Sequence, residues 1–409
     1  MKFNFRPYVP TKEDIERSRS PEAVAAIQKR IGDLFSSWRA LYEAPYKGIT
    51  SEGKVINDLY SLQPNAAPTK PMVKAASELL SSMSDEQRSA MMFPIDARQW
   101  RSWNNTPLWV YEFGLLMEML PDVQRQAILQ VVRASLSAHG FSMARDVMRL
   151  NQFLGELVQN TKMLGEWSYR FSLFGRPSMI EPWGWHLYGH HLALNCFLLG
   201  EQMVLSPTFM GAEPPWADAG PLAGTHLFED QEEAGLRVLR ALSKKQQDKA
   251  IIYPSILSND LPPERKHTDD GRHWGGSFRD NRVIPYEGIS GADLTREQRK
   301  FILELVDVHV STLPEGPRKA RVDDVESHLG ETHFAWIGGF GDDSAFYYKV
   351  HSPVVLIEFD HHPGILLTNK EPSRAHVHSI VRTPNGNDYG ADLLRLHYQH
   401  SHKGHRPGE

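Results

Sequence analysis

The sequence predicts an α+β fold: a helical N-terminal half, then a mainly antiparallel β-sheet region with a few helices. Two observations predict it. Apolar residues recur every three or four positions through the first 165 residues, the period of amphipathic helices. Beyond residue 182, aromatic and branched residues gather instead in short runs punctuated by Gly and Pro, the pattern of strands and turns. Helices first and meandering strands afterwards argue against a doubly wound sheet. The seam falls at 173–182, which holds Gly175, Pro177 and Pro182. It divides a helical region, 1–175, from a sheet region, 176–409, that carries the histidines and ends in a flexible tail.

Ser20 before Pro21 and Glu22 reads as an N-cap with proline in the first turn. Ile27, Ile31, Leu34, Phe35, Trp38, Leu41 and Tyr42 then mark one face of a helix of about six turns. Residues 51–70 carry Gly, Pro and Asn and read as a connection. Helices are expected at 71–83, 121–138 and 142–159, the last two divided by the stop signal His139-Gly140. After the seam, 183–199 reads as extended chain, Gly200-Glu201 as a hairpin turn and 202–210 as the returning strand. Helices follow at 228–242 and 295–312. Between them lies 254–291, rich in Pro, Gly, Asp and charge. It is long for a structureless connection and reads as a lid, an insertion or a functional loop. Strands return at 334–337, 345–350, 354–359 and 376–382, the last ending at the turn Pro384-Asn385-Gly386-Asn387.

With 409 residues, of which 41% are hydrophobic and 23% charged, the chain can bury a large core. A net charge of -5 gives no electrostatic reason to expect nucleic acid or an anionic membrane as partner. No run approaches the roughly 18 apolar residues of a spanning helix. One cysteine, Cys196, permits neither an internal disulfide nor a zinc–thiolate site. The first ten residues lack the apolar stretch of a signal peptide, so a cytoplasmic location is expected. The expected partner is a small-molecule substrate, with a homo-oligomer compatible.

Histidine usage is the most informative count. Of 19 histidines only His139 precedes residue 180. Those at the end, His397, His400, His402 and His405, read as a solvated, frayed tail. The densest group is Trp183-Gly184-Trp185-His186-Leu187-Tyr188-Gly189-His190-His191. In a strand, His186, Tyr188 and His190 share one face and His191 opposes them, with Gly189 a place for a bulge that re-aims a ring. A second pair, His376 and His378, alternates on a strand, so both rings face one way. Asp360, in Asp360-His361-His362, ends the preceding strand, with Glu358 on the same face. Imidazoles with a carboxylate suit zinc or ferrous iron and leave positions open for water or substrate. The same groups without metal can transfer protons, or form a satisfied polar network in a sheet. Ser206 and Ser379 lack the context of a nucleophile elbow. Trp103, in the aromatic-rich stretch 100–109, serves either a pocket or the core.

Longer motifs carry a resemblance. They include Phe93-Pro94-Ile95-Asp96, Trp103-Asn104-Asn105-Thr106-Pro107 and Phe174-Gly175-Arg176-Pro177-Ser178. They continue in Gly189-His190-His191-Leu192, Pro207-Thr208-Phe209-Met210-Gly211 and Tyr347-Tyr348-Lys349-Val350-His351. Leu356-Ile357-Glu358-Phe359-Asp360, His376-Val377-His378-Ser379 and the stretch from Asp388 to His397-Tyr398 complete the set. Over roughly residues 75 to 400 the chain resembles the DUF3500 family of uncharacterised proteins. The resemblance implies no reaction. It does imply which histidines belong to the shared pattern: His190, His191, His351, His376, His378 and His397, as against His186, His361 and His362. Glu213 departs from that pattern, which has Asn there.

The resulting expectation is a metal-dependent enzyme acting on a small organic molecule by hydrolysis or bond lysis. Its zinc or iron ligands are His190, His191, His376 and His378. Asp360, Glu358 and His351 orient a ligand or move the proton, and Trp183, Trp185, Tyr188 and Trp103 wall the pocket. The alternatives are a ligand-binding module without catalysis, a metal-free His/Asp acid–base enzyme and a non-haem iron oxygenase.

Overall fold

Runs of alternating residues in the second half pair into one large sheet, and the helices of both halves are laid against it. The computed structural model describes residues 3–267 and 271–401. Its strands are β1 Met92–Phe93, β2 Leu115–Leu116, β3 Tyr169–Phe174, β4 Trp183–Gly189, β5 Leu192–Leu199 and β6 Gln202–Ala212. They continue with β7 Ile251–Tyr253, β8 Ile289–Ser290, β9 His333–Gly338, β10 Phe346–His351, β11 Leu356–His362 and β12 Ser373–Arg382. The order is β1-β3-β4-β5-β6-β12-β11-β10-β9-β7, with β2 on β3 and β8 on β9. Pairing is antiparallel except for β1 with β3 and β7 with β9. The fold is therefore α+β with a mostly antiparallel mixed sheet, and β3 from the first half is part of that sheet.

Both faces of the sheet are covered, which explains why its strands read as near-continuous buried runs. One face is apolar. Phe171, Leu173, Trp183, Trp185, Leu187, Tyr348, Ile357, Phe359 and Val377 pack there with residues of helices Thr69–Ser82, Asp122–Ser135, Ala138–Leu157, Glu229–Arg240 and Arg296–His309. Each large apolar side chain buried this way contributes about 1.5–3 kcal/mol before entropy is counted.

The other face is mixed. Trp100, Trp103, Phe174, Tyr188, Phe209, Ile380 and Tyr389 form an aromatic cluster on it. Alternation puts Glu358 and Asp360 of β11 and His376, His378 and Arg382 of β12 on this same face, because Asp360 lies opposite His378. The connection 254–291 covers it. Trp274 N–H and Gly275 N–H donate to Glu358, and Arg272 N–H donates to Asp360 Oδ2 at 3.0 Å. Arg382 fastens the connection from below, donating to Gly275 O, Gly276 O and Asp280. Asp280 also accepts from Arg101 and Tyr389, so two guanidiniums and a hydroxyl satisfy one buried carboxylate. Among the described residues no helix is long and apolar enough to cross a membrane.

Three local expectations change. His139-Gly140 does not stop a helix. The break comes earlier, at Leu136, and Ser137 caps the next helix by accepting from Gly140 N–H. Gly140 is needed for closeness, since a Cβ there would lie 2.5 Å from Thr312 O. The stretch 183–199 is two strands, turned at His190-His191. The C-terminal residues form the helix Ala391–Ser401, which includes His397 and His400, whereas His402 and His405 lie outside the described residues.

Candidate metal centre

Two chain segments, the turn between β4 and β5 and the strand β12, bring three imidazoles to one point on the mixed face. The hairpin between β4 and β5 has a two-residue turn, His190-His191, with Gly189 and Leu192 paired across its base. His191 takes a φ of 62°, a left-handed conformation unusual for a side-chain-bearing residue. Its carbonyl accepts from Gly211 N–H at 2.8 Å, which ties the turn to β6. His376 and His378 come from β12, and the pairing of His378 with Gly211 brings the two elements together. Gly211 is obligatory here. A Cβ on it would sit 2.9 Å from His378 Cδ2 and 3.1 Å from His191 Cδ2.

The ring nitrogens converge. His191 Nε2 and His378 Nε2 each lie 3.0 Å from His376 Nε2. One ligand atom from each of the three residues falls within 4.8 Å of the others, and all three side chains are buried. Zinc–imidazole bonds of 2.0–2.1 Å place two nitrogens about 2.9 Å apart at a right angle and about 3.3 Å apart at the tetrahedral angle. The two 3.0 Å separations to His376 Nε2 lie within that range.

Proton accounting argues in the same direction. His376 Nδ1 is 2.8 Å from the carbonyl of Pro363, an acceptor only, so Nδ1 carries the proton. In the neutral ring Nε2 then offers a single lone pair, yet two imidazole nitrogens approach it. One lone pair cannot serve both contacts well, whereas a cation between the rings satisfies all three. Burial holds His191 and His378 well below the usual histidine range, with neighbouring imidazoles adding to the effect. Those two rings are therefore neutral, the form that ligates metal.

Around the triad lie polar atoms without partners. His362 Nε2, His378 Nδ1, both ring nitrogens of His273 and Asp360 Oδ1 are buried and unbonded. The His362 ring stands 4.5 Å from that of His378, and His273 Nε2 is 3.4 Å from Asp360 Oδ1. Buried polar atoms ordinarily find partners, so such a concentration marks a place for water, an ion or a polar ligand. Glu213 backs the site from behind. Its carboxylate accepts from the N–H groups of Ile365, Leu366 and Leu367 and lies 4.0 Å from His376 Nδ1. It thereby holds the loop whose Pro363 carbonyl orients His376.

The expected site residues divide. His191, His376 and His378 meet, with Asp360 beside them. His190 does not join the three: its Nδ1 bonds Asn151 Oδ1 at 2.7 Å and its ring stacks on His191 at 3.9 Å, so it braces the His191 ring. Glu358 is committed to the covering connection and to the Tyr347 hydroxyl, 2.7 Å away. His351 lies opposite Leu356 while Tyr347 lies opposite Asp360, which puts it about 13 Å along β10 from the cluster. Trp183 and Trp185 belong to the apolar face, where their indole N–H groups donate to Ser178 O and Ser135 Oγ. Tyr188 donates to Tyr111 O within the aromatic cluster. Trp103 is one ring removed from the histidines, 6.3 Å from Phe209, which is 5.1 Å from His378.

Sequence reading missed His273 and Asn151 and set His362 aside. The length of 254–291 was the available signal for His273. Asn151 sits inside a helix, where nothing in its neighbours marks it.

Fold and site together define an α+β protein with a buried three-histidine centre on the mixed face of its sheet. The chain belongs to DUF3500: the family model described as "Protein of unknown function (DUF3500)" matches residues 65–391. No curated protein and no solved structure matches it.

Proposed function

We propose that the protein is a metal-dependent enzyme in which His191, His376 and His378 hold one zinc or iron ion. The reaction class is hydrolysis or bond lysis of a small organic molecule. The observation that carries this reading is the approach of two imidazole nitrogens to the one available lone pair of His376 Nε2. Three neutral nitrogen ligands leave a divalent ion its full charge and at least one open position, the arrangement that lowers the pKa of bound water. Asp360, opposite His378 on the neighbouring strand, and His273, whose ring lies 6.1 Å from that of His378, would exchange a proton with bound water or substrate.

Metal analysis by plasma mass spectrometry of tag-free protein tests the reading. About one equivalent of zinc or iron is expected in the native protein, less than a tenth of that in His378→Ala, and the full amount in His190→Ala. Absence of metal after reconstitution with zinc and with ferrous iron would sink it.

The Asp360–His273 pair supports a second reading, metal-free acid–base chemistry, because both partners are fully buried with unbonded atoms facing one another. That reading takes precedence if reconstitution fails and the fold is intact.

A further inference from the structure

Six arginines are buried among the described residues, and five of them are ion-paired. Arg101 meets Asp280, Arg145 meets Glu166, Arg170 meets Glu112, Arg265 meets Glu287, and Arg382 meets both Asp280 and Asp388. Arg272 is the exception. It is 3% exposed, yet among the described residues no carboxylate pairs with its guanidinium. A buried charge ordinarily has such a partner, because taking it out of water is costly.

The hydrogen bonds of Arg272 do not supply the missing charge. Nη2 donates to Ile256 O at 2.6 Å and to Ser258 Oγ at 3.3 Å, both neutral acceptors. Nε is buried with no acceptor at all. Asp360 is engaged by the main chain instead: its Oδ2 accepts from Arg272 N–H, while Oδ1 lies 3.4 Å from His273 Nε2.

The place is beside the histidine centre. A Cβ on Gly271 would lie 2.3 Å from Asp360 Oδ2 and 2.6 Å from His362 Nε2, so the backbone leading into Arg272 rests against both. The His362 ring in turn stands 4.5 Å from that of His378 and 4.7 Å from that of His376. The charge of Arg272 acts on His362 and on Asp360 alike. Ser258, only half-buried, marks the side on which the guanidinium approaches solvent.

We infer that Arg272 binds the carboxylate of a small organic acid at the edge of the histidine centre. A neutral ligand leaves the guanidinium uncompensated, and a cation is repelled by it. A carboxylate matches it in hydrogen-bond direction, and one negative charge balances one positive charge. Asp360 and Glu371 already act on the same guanidinium, so a doubly charged phosphate meets repulsion. As the substrate class, the organic acid rests on the metal-dependent reading above, in which the rest of the molecule faces the ion. As a binding site, Arg272 stands without the metal.

The probe is glycolate, with glycolamide as its uncharged isostere. Each is titrated by calorimetry into the full-length protein as purified and after dialysis against chelator. In both forms glycolate is expected to saturate one site with a Kd of about 1 mM, the range open to so small a ligand. Glycolamide is expected to bind at least roughly tenfold more weakly. Arg272→Gln keeps a polar side chain without the charge. It is expected to lose the preference for glycolate in the chelated form and to keep the metal content of the native protein. Should that variant not fold, arginine-labelled native protein gives the answer by NMR: one Nε–H signal is expected to move with glycolate and to stay with glycolamide. Equal binding of the two probes, an unchanged preference in folded Arg272→Gln, or no moving Nε–H signal overturns the inference. Tighter binding of inorganic phosphate overturns the choice of a carboxylate. A protein that holds no metal yet binds glycolate through Arg272 overturns the metal centre alone.

Discussion

His191 shows how one residue serves both a turn and a site. A two-residue hairpin turn with a left-handed second position ordinarily takes Gly or Asn there. Here the position carries an imidazole at φ 62°, at a backbone cost of about 1–2 kcal/mol. Strain retained at a ligand-bearing turn is intelligible if the ring's aim matters more than the turn's comfort. Comparison of two truncations separates the roles. His191→Ala and His191→Gly both remove the ring and are expected to lose the metal. The Gly variant is expected to be the more stable by about 1 kcal/mol in urea unfolding, since Gly enters this conformation freely. Equal stability of the two would show that the backbone at 191 is unstrained.

At the scale of elements, the three-histidine cluster depends on a loop that carries none of the three rings. Glu213, at the end of β6, accepts from three successive N–H groups of 365–367 and so fixes the carbonyl that orients His376. Glu213→Ala is expected to weaken zinc affinity by roughly 10–100-fold, the usual effect of losing an outer support. Competition with a chromophoric chelator measures it, and an unchanged affinity would remove Glu213 from the site.

The same scale shows what sequence reading reaches. Alternation in His376-Val377-His378 and the Glu358/Asp360 pair fixed those side chains to one face, because strand period is local information. The turn at His190-His191 was not legible, since two buried strands joined by a tight turn read as one apolar run. The helix 391–401 was hidden by its histidines, which read as a polar tail although Leu393 and Leu394 pack against Phe197. His273 reached the site through the covering connection, and no local period predicts where a long connection folds back. The six helices read from apolar periodicity fall within a few residues of their observed ends, whereas Lys12–Ser18, Asp85–Met91, Lys244–Ala250 and Glu315–Ser327 were not read, and the partners of the buried polar groups required the tertiary fold.

For the molecule as a whole, covering both faces of the sheet buries histidines in both layers, and this sets its response to acid. His186 sits among Phe174, Tyr188 and Trp100 on the mixed face, and burial pushes it down to about 3. His309 lies on the opposite face, bonded to Tyr348 and Ser379, and burial brings it to about 3 as well. Unfolded, each titrates near 6.5. Between pH 6.5 and 3 the unfolded chain therefore binds more protons than the folded one, so stability falls as pH drops through that window and is fully present above it. At pH 5 each such group costs about 2 kcal/mol. Asp280 acts in a different window. Burial alone would raise its carboxyl, but Arg382 and Arg101 outweigh that and hold it below the ordinary value, so its contribution is lost only below about pH 4. Acid sensitivity above pH 4 thus belongs to the histidines rather than to the buried ion pairs. Urea unfolding at pH 7 and pH 5, with chelator present to remove any metal contribution, is expected to show a marked loss for the native protein. His186→Leu, which replaces a ring without hydrogen-bond partners by an apolar side chain, is expected to lose about 2 kcal/mol less over the same interval. An identical loss in both proteins would mean that His186 already titrates near its unfolded value, and that the sheet's mixed face admits water where the packing shows none.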